Sequence, residues 1–255
     1  MDFAVLPISL LIFAFTTIMA VAGVGAAFIV IPLLIEFNYN ILVAMTLGLL
    51  FNTISTGVSS IRHIRQKHVD FRVAIPVIIM SVIFTPVGSY LSSLIPTDLL
   101  KLLFGIALVL ISLNIFRNLK RGQVEETTEK REGWKVTLIS SMIGAVVGTL
   151  AGLLGIGGGA IILPFFLWVG LETKRAASTT SFIVIFSSFA GLYSKYSILS
   201  LELPINLVIG GIIATFFGAL LGSYLMHFKL NRRQIKLVIA IMILLVGLKT
   251  IYSFF

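Results

Sequence analysis

Apolar residues fall in eight blocks, at approximately 4–37, 41–61, 71–95, 99–118, 134–170, 176–199, 203–228 and 234–255, separated by short polar or basic turns. A helix crosses the roughly 30 Å hydrocarbon core of a bilayer with about 20 residues. The fifth block is too long for one crossing and too short for two. Near its middle lie Gly155, Gly157, Gly158 and Gly159, and each glycine lowers helix propensity by about 1 kcal/mol relative to alanine. The pattern predicts two half-helices meeting at a glycine loop inside the membrane. Lipid cannot satisfy unwound backbone, so such a loop must be buried in protein or line a wet cavity. In transporters, substrate is held at such interruptions.

Composition supports this reading. Hydrophobic residues make up 58 % of the 255 and charged residues 11 %, whereas soluble domains carry roughly 25 % charge. The chain reads as an all-α polytopic membrane protein. Cysteine is absent, which excludes disulfides, thiolate metal sites and a cysteine nucleophile. The net charge of +9 does not point to nucleic acid, because the basic residues lie in loops between apolar blocks, where they mark topology. Asp2 stands where a basic n-region would be, so no cleavable signal is expected. The one long polar stretch, Arg117 to Lys135, mixes charges and has few apolar residues; it reads as a solvated linker. This divides the chain into a first membrane repeat (1–118), a cytoplasmic linker (119–133) and a second membrane repeat (134–255).

The halves repeat. Gly23 to Pro32 aligns with Gly155 to Pro164 at an offset of 132. Gly88-Ser89-Tyr90-Leu91 returns as Gly222-Ser223-Tyr224-Leu225 at 134, and Lys101-Leu102 as Lys236-Leu237 at 135. If all eight blocks crossed once, the two halves would contradict each other in the placement of Lys and Arg. If blocks one and five are hairpins that return to their starting side, each repeat crosses three times and the second is inverted. Sixteen of the nineteen basic residues then share one side, with Lys101, Lys195 and Lys249 opposite. The positive-inside rule selects this arrangement: two inverted repeats, each a broken-helix hairpin followed by three transmembrane helices, with the linker inside and both ends outside.

The candidate site follows from the breaks. Gly144, Gly148 and Gly152 recur at i+4, the small-residue stripe by which membrane helices approach closely. Gly155, Gly157, Gly158 and Gly159 are spread around the helix and echoed by Gly23, Gly25, Ala26 and Ala27. Half-helices starting near Gly159 and Ala27 would aim free N–H groups and positive dipole ends at the midplane, a site for an anion. Hydroxyl and amide groups follow each hairpin: Thr180 and Ser181 in the second repeat, Thr46 and Asn52 in the first. Such groups often bond their own helix, yet beside a dipole site they suit an oxyanion. Lys174 and Arg175 at the mouth of the second helix pair mark topology and could also draw anions.

The Gly-x-Gly-Gly-Gly segment with Pro164, the Ala177 to Ser181 run after Lys174-Arg175, the repetition by halves and Gly218-Ala219-Leu220-Leu221-Gly222 together resemble the TauE/SafE family of sulfite-exporter-like membrane proteins. The likeness covers essentially the whole chain. It departs at Ala26 and Ala27, which replace glycines, and at Ser178-Thr179, where the family often has a glycine before Thr-Ser. The resemblance implies a secondary transporter for sulfite, a sulfonate or a related small anion in a prokaryotic cytoplasmic (inner) membrane. The expected partners are that anion, the lipid bilayer and a coupling ion, H+ or Na+; no cofactor, metal or nucleic acid is expected. Two other readings stay open: a non-transporting assembly or receptor subunit, and an intramembrane serine hydrolase. Against the hydrolase, His63, His68 and His227 all lie near block ends.

Overall fold

The computed structural model describes residues 5–22, 25–120, 134–168, 171, 173–199, 201–225 and 232–252. Their regular structure is helical throughout: α1 (Val5–Ala22), α2 (Ala27–Glu36), α3 (Ile41–Arg65), α4 (Phe71–Leu94), α5 (Thr97–Lys120), α6 (Trp134–Leu154), α7 (Gly159–Trp168), α8 (Thr173–Leu199), α9 (Ile205–Leu225) and α10 (Arg232–Tyr252). The linker 119–133 lies almost wholly outside the described residues. Six helices, α3, α4, α5, α6, α8 and α9, are long and apolar enough to cross a bilayer. The chain is a multi-pass membrane protein.

Both expected breaks are present, between α1 and α2 and between α6 and α7, but the helices on either side are unequal. Helix α7 has 10 residues, whereas α6 has 21, about 31 Å at 1.5 Å per residue. Helix α6 is therefore no half-helix. The break falls late because Gly144, Gly148 and Gly152 stay helical, seated on the backbone of α4 at Val77, Ser81 and Thr85. Only at Gly155, Gly157 and Gly158 does φ turn positive, at +72°, +68° and +79°. Glycine occupies that region without the steric cost a Cβ would bring.

Helix α4 shows how a span divides its faces between lipid and protein. On α4, Ile75, Ile79, Ile83 and Val87 face outward, while Ser81, Thr85, Gly88, Ser89 and Ser92 are buried. Without a hydrophobic force between helices, close backbone contact holds them together.

The contacts pair the halves crosswise. Gly144, Gly148 and Gly152 meet Val77, Ser81 and Thr85 in the same order, so α6 and α4 run parallel. Gly210, Gly218 and Gly222 meet Ser9, Phe13 and Thr17, so α9 and α1 do too. Asn52 meets Ser188 and Leu49 meets Gly191, making α3 and α8 antiparallel. Asp70, Thr85 and Ser92 meet Arg175, Gly191 and Lys195, so α4 and α8 are parallel. Gly105 lies at Gly247 and Ser112 at Ala240, so α5 and α10 are antiparallel. Lys249 of α10 reaches Glu36, just before α3 begins. Hence α1, α3, α5 and α9 run one way, and α4, α6, α8 and α10 the other.

Candidate functional site at the two helix breaks

The two breaks meet on one side chain. Asn52 lies eleven residues into α3 and is fully buried. The Ala27 N–H, first in α2, donates to Asn52 Oδ1 at 3.4 Å, and Asn52 Nδ2 donates to Ser188 Oγ of α8 at 2.8 Å. A methyl group on Gly25 would collide with the Asn52 amide, and one on Gly157 would collide with both Asn52 and Ser188. The backbone of each repeat thus approaches the same amide as closely as glycine allows. Ser187 donates to the Gly157 carbonyl at 2.8 Å, holding the unwound strand to α8.

The two halves differ at this point. Ala26 precedes α2 with φ −66° and ψ −26°, ordinary helical values. The first break therefore tolerates Ala26 and Ala27, while the second needs glycine at 155, 157 and 158. Gly159 does not take positive φ; it opens α7 with Val184 Cγ2 3.2 Å and Thr180 Cγ2 3.7 Å from where its Cβ would be. At the repeat offset of 132, the counterpart of Asn52 is Val184, which offers no hydrogen bond. Asn52 therefore takes up the α2 end, and the α7 end has no matching side-chain acceptor at the position of Val184.

Thr180 sits beside that open end. It is 5 % exposed, and its hydroxyl has no hydrogen-bond partner among the described residues. A buried hydroxyl without a partner costs about 1–3 kcal/mol. Beside it, the start of α7 carries the positive end of the helix dipole; the Ile161 and Ile162 N–H groups donate to the Gly158 carbonyl at 3.0 and 3.2 Å, so the N–H groups that precede them are the ones left for a ligand. Of the Thr180 side chain it is the methyl carbon, Cγ2, that stands nearest Gly159, 3.7 Å from where a Cβ would be.

Other expected ligands are engaged locally. Thr46 Oγ1 donates to the Leu42 carbonyl at 2.8 Å and Ser181 Oγ to the Ala177 carbonyl at 3.0 Å, so both hydroxyl protons are committed to their own helices. Gly23 lies outside the described residues. Arg175 pairs with Asp70 at 3.5 Å, and the Asp70 N–H donates to Thr179 Oγ1 at 3.0 Å. Arg175 is thereby tied to the start of α4. Two residues are not singled out by the sequence. Ser188 is one of several hydroxyls on α8. Lys195, which counts in sequence among the basic residues opposite the linker, is fully buried; its place four residues before the end of α8 conceals this.

Residues 8–250 match the family model described as Sulfite exporter TauE/SafE. The chain belongs to this family of membrane transporters. It is similar to the probable membrane transporter protein YunE of Bacillus subtilis, at 27 % identity over 93 % of each chain. It is also similar to a probable membrane transporter protein of Methanocaldococcus jannaschii, at 25 % identity over 89 % of this chain and 87 % of the relative. YjnA of Bacillus subtilis, of the same description, is 26 % identical over 92 % of this chain and 94 % of its own. No solved structure matches.

Proposed function

We propose that this transporter moves a small sulfur-containing anion, sulfite or a sulfonate, across the cytoplasmic membrane of a prokaryote as a secondary transporter. The anion lodges at the α7 N-terminus, held by the N–H groups around Gly157, Gly158 and Gly159 and by Thr180 Oγ1. The observation that carries this is a buried Thr180 hydroxyl with no partner among the described residues, on a side chain whose Cγ2 lies beside the start of α7. Asn52 stands opposite as a neutral wall, closing the α2 end. Fixed dipoles suit an anion that must leave again, because they bind without the full strength of a buried cation.

The same reading treats the repeats as inverted in the membrane, with linker 119–133 cytoplasmic. The helix directions support it: up, up, down, up for α1, α3, α4 and α5, against down, down, up, down for α6, α8, α9 and α10. Lys67 and Arg175 then fall on the linker side, and Lys101 and Lys249 on the other. This accords with the positive-inside rule. The hydrolase reading is weakened by the partners of the serines at the break. Ser188 accepts from the Asn52 amide and Ser187 donates to a carbonyl, so neither faces a base that could activate it.

Radiolabelled sulfite flux into vesicles holding only the purified protein tests the proposal. Flux should appear under an imposed H+ or Na+ gradient and be inhibited by an alkylsulfonate. If neither sulfite nor a sulfonate moves under either gradient, the substrate assignment is wrong.

A further inference from the structure

The glycine site leaves one buried ionisable group unused. Lys195 of α8 is fully enclosed, and its Nζ donates to Ser92 Oγ of α4 at 2.6 Å. Ser92 in turn donates to the Ser89 carbonyl at 2.7 Å. One turn inward on α4, the Ser89 hydroxyl is buried with no partner among the described residues. Among the described residues the acids that form ion pairs are Asp98, Asp70 and Glu36, which pair with Lys101, Arg175 and Lys249. None pairs with Lys195.

A lysine near the end of a span usually avoids the cost of burial by extending its ammonium to the interface. Lys195 does not, because protein encloses the Nζ. An ammonium offers three donors, and one acceptor is in place here. Burying an ion in this way costs several kcal/mol unless an opposite charge is supplied. We infer that Lys195, with the hydroxyls of Ser89 and Ser92, forms a second station for the transported anion, on the side of the membrane away from the linker. The inference rests on the anion-transport reading above.

The station is distinct from the break. Lys195 lies seven residues beyond Ser188 on α8, about 10 Å along the axis, and fifteen beyond Thr180, about 22 Å. An anion from the outer side would meet the cation first and the weaker dipole site afterwards. In sequence, Arg62 of α3 stands 133 residues before Lys195, between the offsets of 132 and 134 that the repeated motifs show. Each repeat therefore carries a cation at this position, on opposite sides.

The test uses purified protein in phosphatidylcholine vesicles, with and without phosphatidylglycerol, and radiolabelled sulfite as the probe. Lys195→Met should raise the KM for sulfite at least tenfold, and Lys195→Arg should recover part of that loss. Ser89→Ala should raise KM several-fold while leaving the melting temperature in place, since its hydroxyl bonds nothing in the protein. Wild-type KM in both Lys195→Met and Ser89→Ala overturns the station. So does a KM effect that vanishes without phosphatidylglycerol, which would make a lipid headgroup the ligand. If wild-type protein is neither stabilised by sulfite nor able to transport it, the transport reading fails and this inference with it. Normal wild-type flux with unchanged variants removes the station alone.

Discussion

Asn52 and Ser188 stand 136 residues apart in sequence and bond at 2.8 Å where both broken helices come together. The amide serves two masters at once, accepting from the start of α2 and donating to α8. Asn52→Leu keeps most of the volume but orphans the Ala27 N–H and leaves Ser188 without its donor. Each unsatisfied buried group costs about 1–3 kcal/mol. The variant should melt well below wild type in detergent, and further below than Ser188→Ala, which disturbs only one end of the bridge. Equal melting points for the two variants would show that the α2 contact contributes nothing.

Substitutions at the glycines should separate conformation from ligand contact. Gly157→Ala introduces a Cβ at φ +68° and drives it into Asn52 and Ser188. Gly158→Ala does so at φ +79° against Val147. Both should abolish flux and lower the melting temperature. Gly159→Ala meets Val184 at 3.2 Å and Thr180 Cγ2 at an ordinary 3.7 Å and needs no positive φ, so it should fold. Its methyl group stands at the mouth of α7, and sulfite flux should fall without loss of yield.

Thr180→Val removes a hydroxyl that bonds nothing in the protein. A hydrogen bond to a charged group contributes about 1.5–3 kcal/mol, so sulfite affinity should drop roughly ten- to a hundredfold with the melting temperature unchanged or raised. Thr46→Val, whose hydroxyl is already spent on Leu42, should leave affinity alone. Normal affinity in Thr180→Val would remove the site from the α7 end.

Topology can be read by single cysteines, since the native chain has none. Cysteines at Phe3 and Asp98 should react with an impermeant thiol reagent in intact cells. Those at Lys67 and Thr127 should react only after the membrane is opened. Labelling of Thr127→Cys with Phe3→Cys protected would sink the inverted arrangement.

Much of the architecture was legible in the chain because membrane burial imposes rules that act locally. An apolar block of sufficient length becomes a helix wherever it lies, since its backbone has no other partner in lipid. The glycine segment announced the second break for the same reason: no other residue at 155, 157 and 158 would take positive φ cheaply. The i+4 glycines of α6 announced a close neighbour without saying that it was α4.

What the sequence determined alone was therefore the helical class and the places where the chain unwinds, each a matter of local propensity and of the bilayer as solvent. Tertiary structure decided which polar groups remained free. Thr46 and Thr180 look alike in sequence, yet one hydroxyl is spent on its own helix and the other is not. Asn52 and Val184 hold matching places in the repeat, but only one can cap a helix start. Lys195 read as an outer-loop marker until α4 brought Ser92 against it. A hydroxyl, an amide or an ammonium acquires its role from what lies within about 3 Å, and across 100 residues of chain only the packing of helices brings such partners together.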